Sequence, residues 1–436
     1  MYKLLFLLLL MECFFGLFAQ QRYLLYIYDL FLVLCTIYFF IKRKKQRRQF
    51  PTKLVLFFVI SLVINIIACR INRGQLISQS LRLLELLNYG YCMFFFALCL
   101  SNISIDKCEK ILRICFFIAC IFYLVEYFVF FPAPVIHMLY FEEEEHRMRI
   151  YGQLCIFLGY FYYLNRFIIS SKKLRIDNII GIILGFIVIL TLGFRSTLIA
   201  SIFVSILLVF RHKGKNVLAV VPYLLVLIFL VIAVINTDYG QTVVGNMIAR
   251  QTGGATLDND DYIRVLEWNY FTKDHFISIP DYIFGSGIPN YDSSYGRQIY
   301  NLFSFNQFGE PTKSVAQWRD WGIIGFSWML GLPAAIILLF FILYMITKKT
   351  PPKYYYLSAT YLFLFMICIT TMEVFREGAF AFHALALYIL TKVSKPNDNG
   401  KKLGLETSKG SPKRNKAVKA SFRREEVISE NVQSEA

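Results

Sequence analysis

The sequence predicts an all-α integral membrane protein of about twelve transmembrane helices with one large, partly helical external loop. Three observations carry that expectation. Of 436 residues, 57% are hydrophobic and only 17% charged, with a mean hydropathy of +0.53. Apolar runs recur along nearly the whole chain, each near the length of about 20 residues that crosses roughly 30 Å of hydrocarbon as a helix. They are too long and too continuous for the alternating pattern of barrel strands. The third observation is that one long polar segment, Asn236 to Trp321, separates two blocks of such runs.

The spans are expected to begin near Leu4, Tyr23, Leu54, Leu83, Ile111, Ile150, Ile179, Ser196, Val217, Trp321, Tyr354 and Gly378. The first run, Leu4 to Phe18, has the length of a signal sequence but no convincing small-residue cleavage site, and reads as an uncleaved span. The run from Ile179 to Phe210 exceeds one crossing, and Gly193-Phe194-Arg195-Ser196 near its middle divides it into two. Lys42 to Lys53 holds seven basic residues, and further clusters stand at Lys172/Lys173/Arg175, Arg211/Lys213/Lys215 and Lys348/Lys349/Lys353. With twelve spans and a cytoplasmic amino terminus, all of these clusters fall inside, as the positive-inside rule requires. Both termini are then cytoplasmic in a multi-pass protein of the cytoplasmic membrane. Residues 1–235 hold spans one to nine, 236–320 the extracytoplasmic loop, 321–391 spans ten to twelve, and 392–436 a disordered, basic cytoplasmic tail.

A formal charge of +17 in a soluble protein would suggest nucleic acid, but here the basic residues sit in short connectors, and no nucleic-acid partner is expected. The ten cysteines form no CxxC pair and none lies in the polar segment, so neither a disulfide framework nor a thiolate metal site is expected. The five histidines are scattered without metal-ligand spacing, and no P-loop, GxSxG or Rossmann motif occurs. No metal and no cofactor are expected.

The polar segment is too aromatic for disorder and should fold. Asp260-Asp261 reads as an acidic cap on an amphipathic helix carrying Ile263, Leu266, Tyr270 and Phe271 on one face, and Gly285 to Asn290 as a turn. Aromatics such as Trp268 and Trp318 beside polar groups suit sugar rings, while the plainer reading makes them the loop's own core. Arg149, Arg195, Arg264 and Arg376 fall at outer span ends or in the loop. Arginine near hydrocarbon is expensive, so it is paired, snorkelling or functional, and its planar fork suits phosphate oxygens.

These features resemble the O-antigen polymerase and ligase superfamily of bacterial surface-polysaccharide assembly. The resemblance rests on Gly193-Phe194-Arg195-Ser196-Thr197-Leu198, similar to that family's arginine-bearing S-R-[ST] turn, and on Arg149-Ile150-Tyr151-Gly152, similar to its R-x-x-G entry. It continues through Arg264 to Trp268, Phe284-Gly285-Ser286-Gly287, and Asp320-Trp321-Gly322-Ile323-Ile324-Gly325-Phe326, similar to its W-G-x-x-G segment, and so covers about Arg149 to Leu330.

The resemblance implies a metal-independent membrane glycosyltransferase. It would move a growing glycan from a polyprenyl-pyrophosphate carrier onto a lipid-linked oligosaccharide repeat unit, with membrane lipid and a chain-length regulator protein as further partners. Arg195, Arg264, Arg149 and Arg376 would hold the pyrophosphate, and Trp268 and Trp318 the sugars. The acceptor-activating base stays open among Asp320, Asp292, Glu267 and His275. The ligase branch carries a histidine where this chain reads Gln317-Trp318-Arg319-Asp320, which favours polymerase over ligase-type transfer. A polysaccharide exporter or flippase is the rival from another class. It would line a path with buried charge, whereas here buried charge is expected to be sparse, with Glu85 and Glu126 as exceptions.

Overall fold

Residues whose side chains must be shielded from lipid and residues that face it alternate cleanly along the second helix, α2 (Arg22–Lys42), which follows α1 (Tyr2–Cys13). Tyr23, Ile27, Leu30, Leu34, Ile37 and Ile41 are each more than half exposed, whereas Leu25, Tyr28, Leu32, Cys35 and Phe39 are buried. Both sets follow the three-and-four spacing of a helix face. An exposed stripe of large apolar side chains over the full length of a helix is what a lipid-facing surface requires and what water would not tolerate. The computed structural model describes residues 2–15, 21–130, 140–142, 147–149, 152–170, 176–192, 194–213, 241, 263–276, 278–302, 321–368 and 378–394. Of Arg149, Arg195 and Arg264 it describes the backbone only.

The order continues with α3 (Phe50–Arg73), α4 (Ile77–Ser80), α5 (Leu84–Gly90), α6 (Phe94–Ser101), α7 (Ile105–Phe130), a two-stranded hairpin of β1 (Tyr140–Glu142) and β2 (Arg147–Arg149), α8 (Gln153–Ile169), α9 (Ile176–Thr191) and α10 (Arg195–Lys213). Then come α11 (Ile263–Asn269), α12 (Ile279–Phe284), α13 (Ser294–Leu302), α14 (Gly322–Leu330), α15 (Leu332–Thr347), α16 (Tyr355–Ile367) and α17 (Phe380–Val393). Among the described residues the fold is therefore all-helical apart from the antiparallel hairpin, in which Tyr140 pairs with Arg149. Among them, four stretches are long and apolar enough to cross a membrane: Arg22–Lys42, Phe50–Arg73, Leu84–Ser101 and Ile105–Phe130. The long run around residue 193 is two helices, α9 and α10, broken where the glycine-arginine sequence stands.

Two expected spans are less regular than the sequence suggests. The fourth is α5 and α6 joined by a 3₁₀ turn at Tyr91–Met93, and the tenth is α14 and α15, parted at Gly331. Gly331 has φ +87°, and a Cβ there would stand 2.4 Å from the Ile283 carbonyl oxygen, so the helix breaks where another backbone must pass. The ninth span, the Asp260-Asp261 cap and the carboxyl-terminal tail lie outside the described residues.

Glycine also sets how closely α7, α8 and α9 pack. The Phe116 ring fills the space a Cβ on Gly159 would need, and the Tyr163 ring does the same at Gly181. Small residues let rings and backbones approach where no hydrophobic force drives helices together. Gly181 lying against Tyr163, and Gly185 against Tyr160, makes α8 and α9 antiparallel.

The helix ends sort into two groups, separated by about 35 Å along the 24 residues of α3. At one end Lys353 pairs with Asp106 and Glu109, Asn165 Nδ2 donates to the Lys353 carbonyl, and Arg211 donates to Ser358 Oγ. Lys392 bonds to Asn102, and Arg43 donates to the Leu100 carbonyl. At the other end stand Arg73, Gly152, Gly378 and the described part of the polar segment. Below they are called the Lys353 end and the Arg73 end.

Candidate functional site

The described part of the polar segment is fastened to the Arg73 end mainly by side-chain amides. Asn65 Nδ2, on α3, donates to the carbonyls of Phe284 (2.7 Å) and Met329 (2.8 Å). Gln75, just past the Gly74 cap of α3, is 1% exposed and fully used. Its Nε2 donates to Ser80 Oγ and the Ile288 carbonyl, and its Oε1 accepts from Asn290 N and Ser293 Oγ, all between 2.8 and 3.0 Å. Asn290 Nδ2 in turn donates to the Gln79 carbonyl. Each tie satisfies backbone groups that would otherwise be buried unpaired.

Residues 285–290, expected as a turn, instead form a buried, irregular strap. Ser286 N and Gly287 N donate to the carbonyls of Trp328 and Met329, each at 2.8 Å. Gly285 sits at φ +72°, and a Cβ there would stand 2.4 Å from Gly331 N. The two glycines are what allow strap and helix backbone to touch, so these glycines mark close approach rather than reversal.

Beside the strap lies a cluster around Arg73, which the sequence reading passed over. Its Nη2 donates to the His275 carbonyl at 2.9 Å and lies 3.3 Å from Asp281 Oδ1. The guanidinium stands 6.0 Å from the Tyr295 ring centre, and that ring stacks on His275. Asp281 also caps α12 through Ser278 N and Oγ. His275 shares a hydrogen bond with Tyr270 Oη through Nδ1, and its Nε2 has no partner among the described residues. Burial first, and the Arg73 guanidinium second, push its pKa down to about 3, with Asp281 opposing. A neutral imidazole that resists protonation so strongly is a poor general base, and its contacts are those of a packing residue.

The helix expected in the loop forms as α11 and continues as a π-helical turn, Tyr270–His275. Glu267 is wholly buried beneath it, and Trp268, 39% exposed, packs on Trp321 (4.9 Å between ring centres) and Trp328 (5.6 Å). Phe271 stacks on Trp328 at 4.8 Å. The plainer reading of these aromatics thus fits Phe271, while Trp268 keeps an open face. Asp292 is exposed.

Chain neighbours of two more predicted residues meet at the same end. Gly152, three positions after Arg149, and Gly378, two after Arg376, meet there: a Cβ on Gly378 would stand 2.5 Å from the Glu12 carbonyl oxygen and 2.7 Å from Gly152 N. Gly378 N also donates to Asn88 Oδ1 at 3.0 Å. Arg195 begins α10. Tyr160 Oη and Ser205 Oγ are 3.0 Å apart, so with 1.5 Å of rise per residue the backbones of Gly152 and Arg195 lie about 12 and 15 Å from that contact along their helices. Arg264 lies on α11, one turn before Trp268. Arg376, Asp320 and Trp318 themselves lie outside the described residues.

A second set missed by the sequence reading lies just beneath. Glu12 is 1% exposed, and neither carboxylate oxygen has a hydrogen-bond partner among the described residues. The same holds for Asp29 Oδ2 and for the hydroxyls of Tyr28 and Tyr91, whose rings stack at 4.4 Å. A carboxylate in LLLLMECFF is visible in the sequence, but which way it faces depends on packing.

No protein-family model matches this chain, and no curated protein matches it either.

Proposed function

We propose that the Arg73 end is a glycan-transfer site, and that the protein is a polysaccharide polymerase moving a growing glycan from polyprenyl pyrophosphate to a lipid-linked repeat unit. The observation that supports this reading is the contact of Gly152, three positions after Arg149, with Gly378 and the Glu12 backbone, at the end of the bundle where α10 begins with Arg195. The sorting of helix ends into two groups also fits twelve crossings, with the basic connectors inside and the polar segment outside.

In this reading guanidinium groups of Arg195, Arg264, Arg149 and Arg376 take up the charge that develops on the departing pyrophosphate. A carboxylate removes the proton of the acceptor hydroxyl as it attacks the anomeric carbon. Glu12 joins Asp320, Asp292 and Glu267 as candidates for that role, and the burial of His275 argues against it there. Trp268 offers its open face to a sugar ring. Ligase-type transfer to another acceptor would use the same groups.

An exporter or flippase is the second reading, and Glu12 and Asp29 favour it, because buried charge within the bundle is less sparse than the sequence suggests. One experiment separates the two. In cells, Arg195→Ala in the polymerase is expected to abolish long chains while single lipid-linked repeats accumulate on the outer face. Single repeats held on the inner face would indicate export, and normal chain lengths from stably expressed Arg195→Ala would remove the pyrophosphate assignment.

A further inference from the structure

A polar cavity of about 360 Å³ opens at the Lys353 end, between the start of α7, the end of α8 and the start of α9. Its chemistry is unusual for its place. Glu109 is 2% exposed; its Oε2 meets Arg166 Nη2 at 2.9 Å and Lys353 Nζ at 3.7 Å, while its Oε1 has no partner. Arg166 Nε is likewise buried without one. Arg113, also lining the cavity, has no hydrogen-bond or ion-pair partner among the described residues, and its Nε is buried. Asp177 stands at the rim. Residues with donors and an acceptor unsatisfied among the described residues thus form the walls of one space, and groups of this kind at the end of an apolar bundle are costly unless something binds them.

The complementary ligand has anionic oxygens for Arg113 and Arg166 and a hydrogen-bond donor for Glu109 Oε1 and Asp177. It must also reach the cavity from the side of the bundle, where Ile169 at its edge and Ile176, Ile180 and Ile183 along α9 are exposed. We propose that this cavity binds a phospholipid by its headgroup, with the phosphodiester held by Arg113 and Arg166, an ethanolamine or glycerol donor held by Glu109 and Asp177, and an acyl chain lying along the isoleucines of α9. Paired guanidinium donors suit phosphate oxygens, and the basic side of a helix bundle is where such headgroups gather. The proposal does not rest on the glycan reading, which concerns the opposite end.

The full chain in detergent, exchanged into nanodiscs and examined by native mass spectrometry, tests it. Phosphatidylcholine shares the phosphodiester but has no N–H donor, so it isolates the donor arm. The wild-type protein is expected to retain phosphatidylethanolamine or phosphatidylglycerol on the order of tenfold over phosphatidylcholine. Arg113→Gln should lower retention of all three, and Asp177→Asn, an exposed change that leaves the bundle intact, should shrink the headgroup preference. Equal retention of all three lipids by the wild type, or an Arg113→Gln protein of unchanged melting point that retains them as before, overturns the proposal. Arg113-dependent thermal protection by inorganic phosphate without any lipid preference would overturn the lipid and assign the cavity to a soluble phosphate ester.

Discussion

The two ends of the bundle are held by different chemistry. At the Arg73 end, beside the Arg73–Asp281 pair, Asn65, Gln75, Asn88 and Asn290 make ties through neutral amides, most of them buried. At the Lys353 end, beside the Asn165 amide, the ties are mostly charged: Arg166 to Glu109, Lys353 to Asp106 and Glu109, and Arg211 lying 3.8 Å over the Tyr355 ring. Amide ties are directional and indifferent to salt, so they fix geometry, whereas partly exposed ion pairs are screened and tolerant. The proposed transfer site, which would hold several groups in register, needs the first kind, and the proposed headgroup cavity can use the second.

Substitution at the strap should break this contrast most sharply. Gly331→Ala combines a positive φ with backbone atoms at 2.4 Å, and is expected to cost more than about 3 kcal/mol. The check is a lowered melting point with faster hydrogen exchange across residues 278–302. Gln75→Leu removes four hydrogen bonds and should cost about 3 kcal/mol by the same two measurements, with no dependence on salt.

His275 sharpens the comparison through pH. Its pKa is about 3 folded against an ordinary 6.5, so between those values the unfolded segment binds the extra proton. Stability from its burial is complete above about pH 6.5 and falls as pH drops toward 3, by roughly 1.4 kcal/mol per unit. His275→Gln should flatten that dependence in exchange rates of the strap, and an unchanged slope would show that the histidine is not the titrating group. The smallest effect is expected at the opposite end. Lys353→Met should change stability by less than about 1 kcal/mol, and the difference should vanish in high salt.

What the sequence made legible was whatever depends on local composition. The apolar runs, the break before Arg195, the basic connectors and the helix from Ile263 are all properties of a few neighbouring residues, and those that fall within the described residues correspond to helices or helix boundaries. Pairings across the chain were not legible. Arg73 reads as one more basic residue after a span until His275 and Asp281, some two hundred positions later, fold against it. Gly285 reads as a turn until Gly331 meets it, and Glu12 as a polar blemish in an apolar run until Gly152 and Gly378 close over its backbone. Of the predicted site, the structure describes the backbones of Arg149, Arg195 and Arg264 and buries His275 against Tyr270 and Tyr295.

The strap's bonds to Trp328 and Met329 bear on how the protein is made. Those carbonyls belong to the last turn of α14, which the break at Gly331 deprives of the next helical donors, and Ser286 and Gly287 supply amides in their place. The donors precede the acceptors by about forty positions and leave the ribosome first. Biogenesis therefore has a built-in sequence of events: the waiting ribbon must already be in place when the half-helix arrives, and a mutation that delays it would leave that half-helix with bare carbonyls inside an apolar bundle.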